Sequence, residues 1–239
     1  RNSALPPPFA GSNALWHACS VTIAGHYAYV TAAYSNRLTI IDISNPLAPT
    51  IVSSLQDSIN LNFPVDVAVK SNYAYVADQA SSLGRVAVVD VSDPAHPRVV
   101  ATVTNASLLN GGYRIRLQGN FAYVSASGVA TVTAIDISNP LSPVVAGHLT
   151  DSARLFKTTG LDVDTSGHYV IASSPYLSSQ PQSVYPPFSA ATGSISAIQI
   201  EPAPIGVTIA AGSKPANPTT QTSANFSFST TDAVASVLC

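Results

Sequence analysis

The segment Gly25-His26-Tyr27-Ala28-Tyr29-Val30 returns as Ser71-Asn72-Tyr73-Ala74-Tyr75-Val76, and again as Gly119-Asn120-Phe121-Ala122-Tyr123-Val124. A decayed fourth copy reads Gly167-His168-Tyr169-Val170-Ile171-Ala172, and the steps between copies are 46, 48 and 48 residues. A second block keeps this step. Ile40-Ile41-Asp42-Ile43-Ser44-Asn45-Pro46 matches Val88-Val89-Asp90-Val91-Ser92-Asp93-Pro94 and Ala134-Ile135-Asp136-Ile137-Ser138-Asn139-Pro140. Its fourth copy, Ala197-Ile198-Gln199-Ile200-Glu201-Pro202, has lost the aspartate. A fixed period of this length restricts a chain to repeat architectures, in which each unit stacks on the next because it cannot bury its apolar faces alone.

Within a unit the pattern is that of four short strands. In the second copy these are Val65 to Val69, Tyr73 to Ala77, Val86 to Val91 and Arg98 to Val103. The runs are rich in Val, Tyr and other β-formers, and turn residues break them too often for helices of ordinary length. Ser and Asn or Asp bond nearby backbone while Pro fixes φ, so the Ser-Asn/Asp-Pro block stops the third strand and starts a tight reversal. Four strands per period of 46–48 residues predict an all-β fold, a β-propeller of four-stranded blades. The expected repeats span about 14–60, 61–108, 109–156 and 157–203, with a short C-terminal β segment over 204–239. Four is the smallest usual blade number. If these four are a complete ring, blade 1 packs on blade 4; in the other reading they are part of a larger ring with further blades before Arg1.

Composition narrows the role. Apolar residues make up 46% of the chain, enough for a sizeable core, whereas charged residues are only 9%, against about 25% in ordinary domains. The net charge is -2, and the three lysines (Lys70, Lys157, Lys214) form no run, which argues against nucleic acid and against an electrostatic membrane partner. No apolar run reaches a membrane-spanning length. Scarce charge and abundant Ser and Thr point to an extracellular or cell-surface setting. Two cysteines, Cys19 and Cys239, are too few for a disulfide framework. The chain lacks methionine and opens at Arg1, so its ends read as cut.

The run Leu38-Thr39-Ile40-Ile41-Asp42, together with Tyr-Ala-Tyr-Val and the Ser-Asn/Asp-Pro turn with its second proline (Pro49, Pro97, Pro143), resembles the LVIVD repeat. The resemblance covers roughly residues 14–202 and is specific in three of the four copies. It implies a propeller of secreted or surface proteins, often beside adhesion modules, and no defined reaction. Further on, Thr222-Ser223-Ala224-Asn225-Phe226-Ser227-Phe228 with Cys239 resembles the opening of a bacterial immunoglobulin-like module, which implies other modules of the same longer chain as neighbours. In the competing reading, Ile205 to Ile209 supply the fourth strand of the last blade.

Aligning the first strands by the repeat puts Ser20, Asp66, Arg114 and Asp162 in one column. Two carboxylates flanking a guanidinium near the axis form either a polar binding site or an ion network between blades. Asp42, Asp90 and Asp136 recur at one repeat position, which favours a building role as acceptors for turn amides. Asp162-x-Asp164-Thr165-Ser166-Gly167 resembles a calcium loop only superficially, lacking the further oxygen ligands and late Glu, and no metal or other cofactor is expected. Cys19 reads as a small buried hydrophobe and Trp16 as a residue packed between blades. The insertion between Ser173 and Gly193 carries Tyr176, Tyr185 and Phe188 among prolines, a composition suited either to partner contact or to folding over a blade edge. No nucleophile elbow, phosphate loop or dinucleotide fingerprint occurs. The expectation is a non-enzymatic scaffold that binds a protein or glycan at the cell surface. The alternative is a hydrolase or lactonase acting at the axial mouth.

Overall fold

The computed structural model describes residues 13–79, 82–164, 167–175 and 194–200 in full, and the backbone of two strands beyond them, Asn225–Ser229 and Val234–Leu238. The first sheet contains β1 (Ala18–Ala24), β2 (Tyr27–Ala32), β3 (Arg37–Asp42) and β4 (Thr50–Gln56). The second contains β5 (Pro64–Lys70), β6 (Tyr73–Asp78), β7 (Arg85–Asp90) and β8 (Arg98–Thr104). The third contains β9 (Gly112–Gln118), β10 (Phe121–Ala126), β11 (Thr131–Asp136) and β12 (Val144–Thr150). The fourth holds β13 (Gly160–Val163), β14 (Tyr169–Ser174) and β15 (Ser194–Gln199) among the described residues. Every sheet is an antiparallel meander in chain order, the propeller-blade arrangement the period predicts. Asn225–Ser229 (β16) and Val234–Leu238 (β17) pair separately as a two-stranded ladder.

The blades stack because each presents a different apolar pattern on its two faces. Tyr29, Leu38 and Ile40 of blade 1 pack on Val67, Val76 and Val89 of blade 2. On the other face of blade 2, Tyr75, Val86 and Val88 meet Ile115, Val124 and Ile135 of blade 3. Tyr123 and Val132 of blade 3 then meet Leu161, Val170 and Ile198 of blade 4. Alternation of side chains along a strand is what supplies two independent faces. The first strands β1, β5, β9 and β13 run side by side along the inner edge.

The chain passes from one blade to the next through a turn that also recurs. Asp57, Asn105 and Asp151 cap it with a side-chain oxygen that accepts amide hydrogens two residues on, and the amides of Leu61, Leu109 and Leu155 donate back to the capping carbonyls at 2.7–2.8 Å. Each of these leucines is fully buried and plugs the seam between two blades. Next comes a residue in the left-handed region, His17, Phe63, Gly111 or Lys157, with φ between 54° and 71°. Its carbonyl accepts the amide hydrogen of Ala33, Gln79 and Ser127 in blades 1 to 3. Only Gly111 is a glycine there, and a Cβ on it would stand 2.6 Å from the Gly128 nitrogen.

Among the described residues the four blades do not close into a ring. Blade 1 leaves Val21 and Ile23 of β1 exposed (60% and 65%), and blade 4 leaves Ile195 of β15 exposed (67%), so these faces do not cover each other. The Ile205 to Ile209 segment lies outside the described residues.

Candidate functional site

The polar groups of the first strands form a seam across three blades, centred on Asp66. Its carboxylate is 2% exposed and accepts the Ser20 hydroxyl of blade 1 at 2.5 Å, the Val67 amide at 3.0 Å, and the Ile115 amide of blade 3 at 3.0 Å. The fourth donor is Arg116, whose Nη1 lies 2.9 Å from Asp66 Oδ2. Arg116 Nε in turn lies 3.8 Å from Asp162, whose side chain is 82% exposed. Thr22 adds a bond of 2.6 Å to the Val67 carbonyl. A buried carboxylate needs such donors to offset its desolvation, and here three of the four come from the two flanking blades. The arrangement ties blades 1, 2 and 3 together.

The guanidinium that joins the two carboxylates is therefore Arg116 and not Arg114. Arg114 donates to the carbonyl of Tyr113 at 3.4 Å, and its guanidinium stands over the Tyr113 ring, 4.8 Å from the centroid. The reason lies in a hairpin. In blades 1 to 3 a two-residue turn joins the first two strands, so Ser20, Asp66 and Arg114 pair with Thr31, Ala77 and Ser125 at one register position. In blade 4 the Asp164–Tyr169 pair closes a longer loop, and Asp164 Oδ1 accepts the Tyr169 amide at 2.8 Å. Those two extra residues slide β13. Gly160 takes the column position, opposite Ser173, and Asp162 pairs with Ile171 at the level where Arg116 pairs with Tyr123. The signal that could have found Arg116 was the length of that fourth turn.

A second cluster forms where β1 and β5 begin. Trp16, His17, Tyr34 and Phe63 come from the turn before β1, the β2–β3 connection and the residue before β5. The His17 and Tyr34 rings meet edge-on at 4.4 Å, Tyr34 and Phe63 at 5.3 Å and 88°, His17 and Phe63 at 5.8 Å, and Trp16 and Tyr34 at 5.6 Å. The left-handed backbone of His17 and Phe63 aims both rings at this rim. Trp16 is 59% exposed and Tyr34 56%. Trp16 thus lies on the surface against Tyr34 rather than between blades. Cys19 is also exposed rather than buried, and its thiol lies 3.3 Å from His17 Nδ1. Partial burial raises its pKa above the usual value, which outweighs the opposing Ala33 amide and the Arg114 charge. That shift runs opposite to the one that activates a cysteine nucleophile.

Asp42, Asp90 and Asp136 accept the amides of Ser44, Ser92 and Ser138 at 2.8–3.0 Å, the turn-building role that their recurrence suggested. No group of three or more potential metal-ligating side chains gathers among the described residues. Tyr176, Tyr185 and Phe188 lie outside those residues.

The LVIVD repeat profile matches residues 17–57, 65–105 and 112–151, together just over half of the sequence. The chain belongs to the LVIVD-repeat family. Each matched stretch runs from the start of a first strand to the end of a fourth, so the family unit and the observed blade coincide. No curated protein matches the sequence. Among solved structures the chain is similar to a hypothetical selenium-binding protein from Sulfolobus tokodaii, at 14% identity and a TM-score of 0.58, over 77% of this chain and 52% of that one. It is also similar to a protein from Lactobacillus plantarum (13% identity, TM-score 0.55, 65% of this chain and 50% of that one). A third similar structure is the computationally designed Ika4 protein (11% identity, TM-score 0.54, 78% and 92%). The chain spans about half the length of the two natural propeller-like proteins. At such identities the likeness is one of fold alone.

Proposed function

We propose that this LVIVD propeller is a non-enzymatic extracellular or cell-surface scaffold that binds a protein or glycan. The observation carrying this reading is the exposed ring cluster of Trp16, His17, Tyr34 and Phe63. Rings held edge-on by one another lose little further entropy on binding, and large exposed aromatic surface is the usual anchor of recognition. The polar residues of the inner edge support the same reading, since Asp66 spends its acceptors on donors of its own and the flanking blades. Strands β16 and β17 are read as the opening pair of an immunoglobulin-like module that displays the propeller beside its neighbours.

The test is binding of the purified chain to panels of immobilised polysaccharides and surface proteins, before and after Trp16→Ala with Tyr34→Ala. A loss of about tenfold or more in affinity is expected. Binding unaffected by the pair would overturn the assignment to this cluster. The hydrolase or lactonase reading rests on the exposed Asp162 beside Arg116. Turnover of a lactone or ester panel that disappears in Arg116→Ala would replace the proposal with that one.

A further inference from the structure

The turn into each first strand has one length in all four blades. From Leu15 to Ser20, Leu61 to Asp66, Leu109 to Arg114 and Leu155 to Gly160 the step is the same. The second residue after the leucine is left-handed in every blade: His17 (φ 57°), Phe63 (63°), Gly111 (71°) and Lys157 (54°). Glycine adopts that conformation without steric cost, whereas a side chain strains it. Gly111 shows that glycine builds this turn. The turn itself therefore does not require an imidazole, a phenyl ring and an ammonium in the other blades. Backbone strain of this kind gathers where a ligand is held.

The rim these turns form is divided by chemistry. Blades 1 and 2 contribute the rings of Trp16, His17, Tyr34 and Phe63. Blades 3 and 4 contribute the cations Arg114 and Lys157. The Arg114 guanidinium donates to the adjoining Tyr113 carbonyl at 3.4 Å, and Lys157 is exposed with its ammonium 5.8 Å from the Phe156 ring. Among the described residues neither enters an ion pair, whereas Arg85, Arg98, Arg116 and Arg154 each do. The carboxylates of the blade-to-blade turns are already taken, Asp57 by the Ile59 and Asn60 amides and Asp151 by Arg154. Arg114 also links the two halves of the rim. Burial raises the pKa of the Cys19 thiol, the Arg114 charge is close enough to oppose that rise, and the thiol lies 3.3 Å from His17 Nδ1.

We infer that this rim binds a polysaccharide carrying carboxylate groups, its sugar faces lying on the Trp16 and Tyr34 rings and its acid groups paired with Arg114 and Lys157. The inference rests on the reading of the ring cluster as a binding surface and adds the class of ligand. A pyranose offers a flat apolar C–H face and carries its acid group at the edge, which matches exposed rings flanked by cations. A guanidinium takes a carboxylate through two parallel hydrogen bonds. An acidic peptide would anchor its side chains in desolvated pockets, whereas Trp16 and Tyr34 turn more than half of their surface to solvent.

The purified 239-residue chain is titrated with polygalacturonate, alginate and hyaluronate, with the carboxyl-reduced form of each, and with poly-glutamate. Binding to at least one acidic polysaccharide is expected, at least about tenfold weaker for its reduced form and weaker as salt rises. Arg114→Gln with Lys157→Gly should lower that affinity at least about tenfold. The same variant should melt no lower than wild type, since glycine relieves the left-handed backbone at 157. A lower melting temperature with unchanged binding would make both cations structural and overturn the inference. So would the absence of binding to all three acidic polysaccharides, and so would binding of poly-glutamate alone. Equal binding of acidic and reduced forms, abolished by Trp16→Ala with Tyr34→Ala, would overturn the acid pairing and leave the ring surface standing. Acid-dependent binding indifferent to that ring pair would overturn the reading on which the inference rests, and the inference with it.

Discussion

Asp42, Asp90 and Asp136 stop the third strand of each blade by accepting an amide two residues on, and Asp90 is bound further by the Ser92 hydroxyl at 2.7 Å and by Arg98 at 2.8 Å. The Ser92 hydroxyl and amide, with Arg98, hold the Asp90 carboxyl at about 2, below its ordinary 3.8. A carboxyl whose folded pKa is depressed stabilises the protein above its unfolded pKa, and that contribution disappears as pH falls to the folded value. The Asp90 contribution is therefore complete above about pH 4 and lost by about pH 2. Acid titrations of wild type and Asp90→Asn, followed by circular dichroism, should differ in slope within that window and run parallel above it. Parallel curves throughout would show that the turn does not depend on the charge. The acceptor role of these aspartates was readable from recurrence. The strained backbone of His17, Phe63 and Lys157 was not, because left-handed residues other than glycine, asparagine or aspartate carry no sequence mark.

Among the elements, the first strands tie three blades together through Asp66. Removing the Asp66 side chain would take the acceptor from the Ile115 amide and the Ser20 hydroxyl at once and leave Arg116 with only the Ile115 carbonyl and Asp162. Asp66→Ala should cost about 2–4 kcal/mol in chemical denaturation. Arg114→Ala, whose contacts stay with Tyr113, should change stability by less than about 0.5 kcal/mol. Equal losses from both would mean that Arg114 shares the Asp66 tie. The repeat alignment found Asp66 and Asp162 but chose the wrong arginine, since a two-residue change in one hairpin moves a strand relative to its neighbours. Arg114 and Arg116 lie on the same face of β9, so a slide of two residues keeps the face and changes which of them lies level with the carboxylate.

At the scale of the whole molecule, a row of blades behaves as a chain of neighbour contacts, so the interior units are the most stable. Blades 2 and 3 pack on a described blade at both faces, whereas blades 1 and 4 do so at one. In the isolated chain, amide exchange should be slowest in β6 and β10 and at least about tenfold faster in β2 and β14. Hydrogen-exchange mass spectrometry reads this directly. Uniform protection across the four blades would contradict nearest-neighbour stabilisation.

The period of 46–48 residues, the four runs per unit and the recurring turn determined the blade, because strand alternation and turn chemistry are local and repeat with the chain. What the chain does at its ends and along its inner edge was decided by the tertiary structure. Whether Asp162 meets Arg114 or Arg116 depends on the register of sheets packed side by side. Whether the row closes depends on the angle accumulated from blade to blade. Those are relations between surfaces distant in sequence, and no single segment contains them.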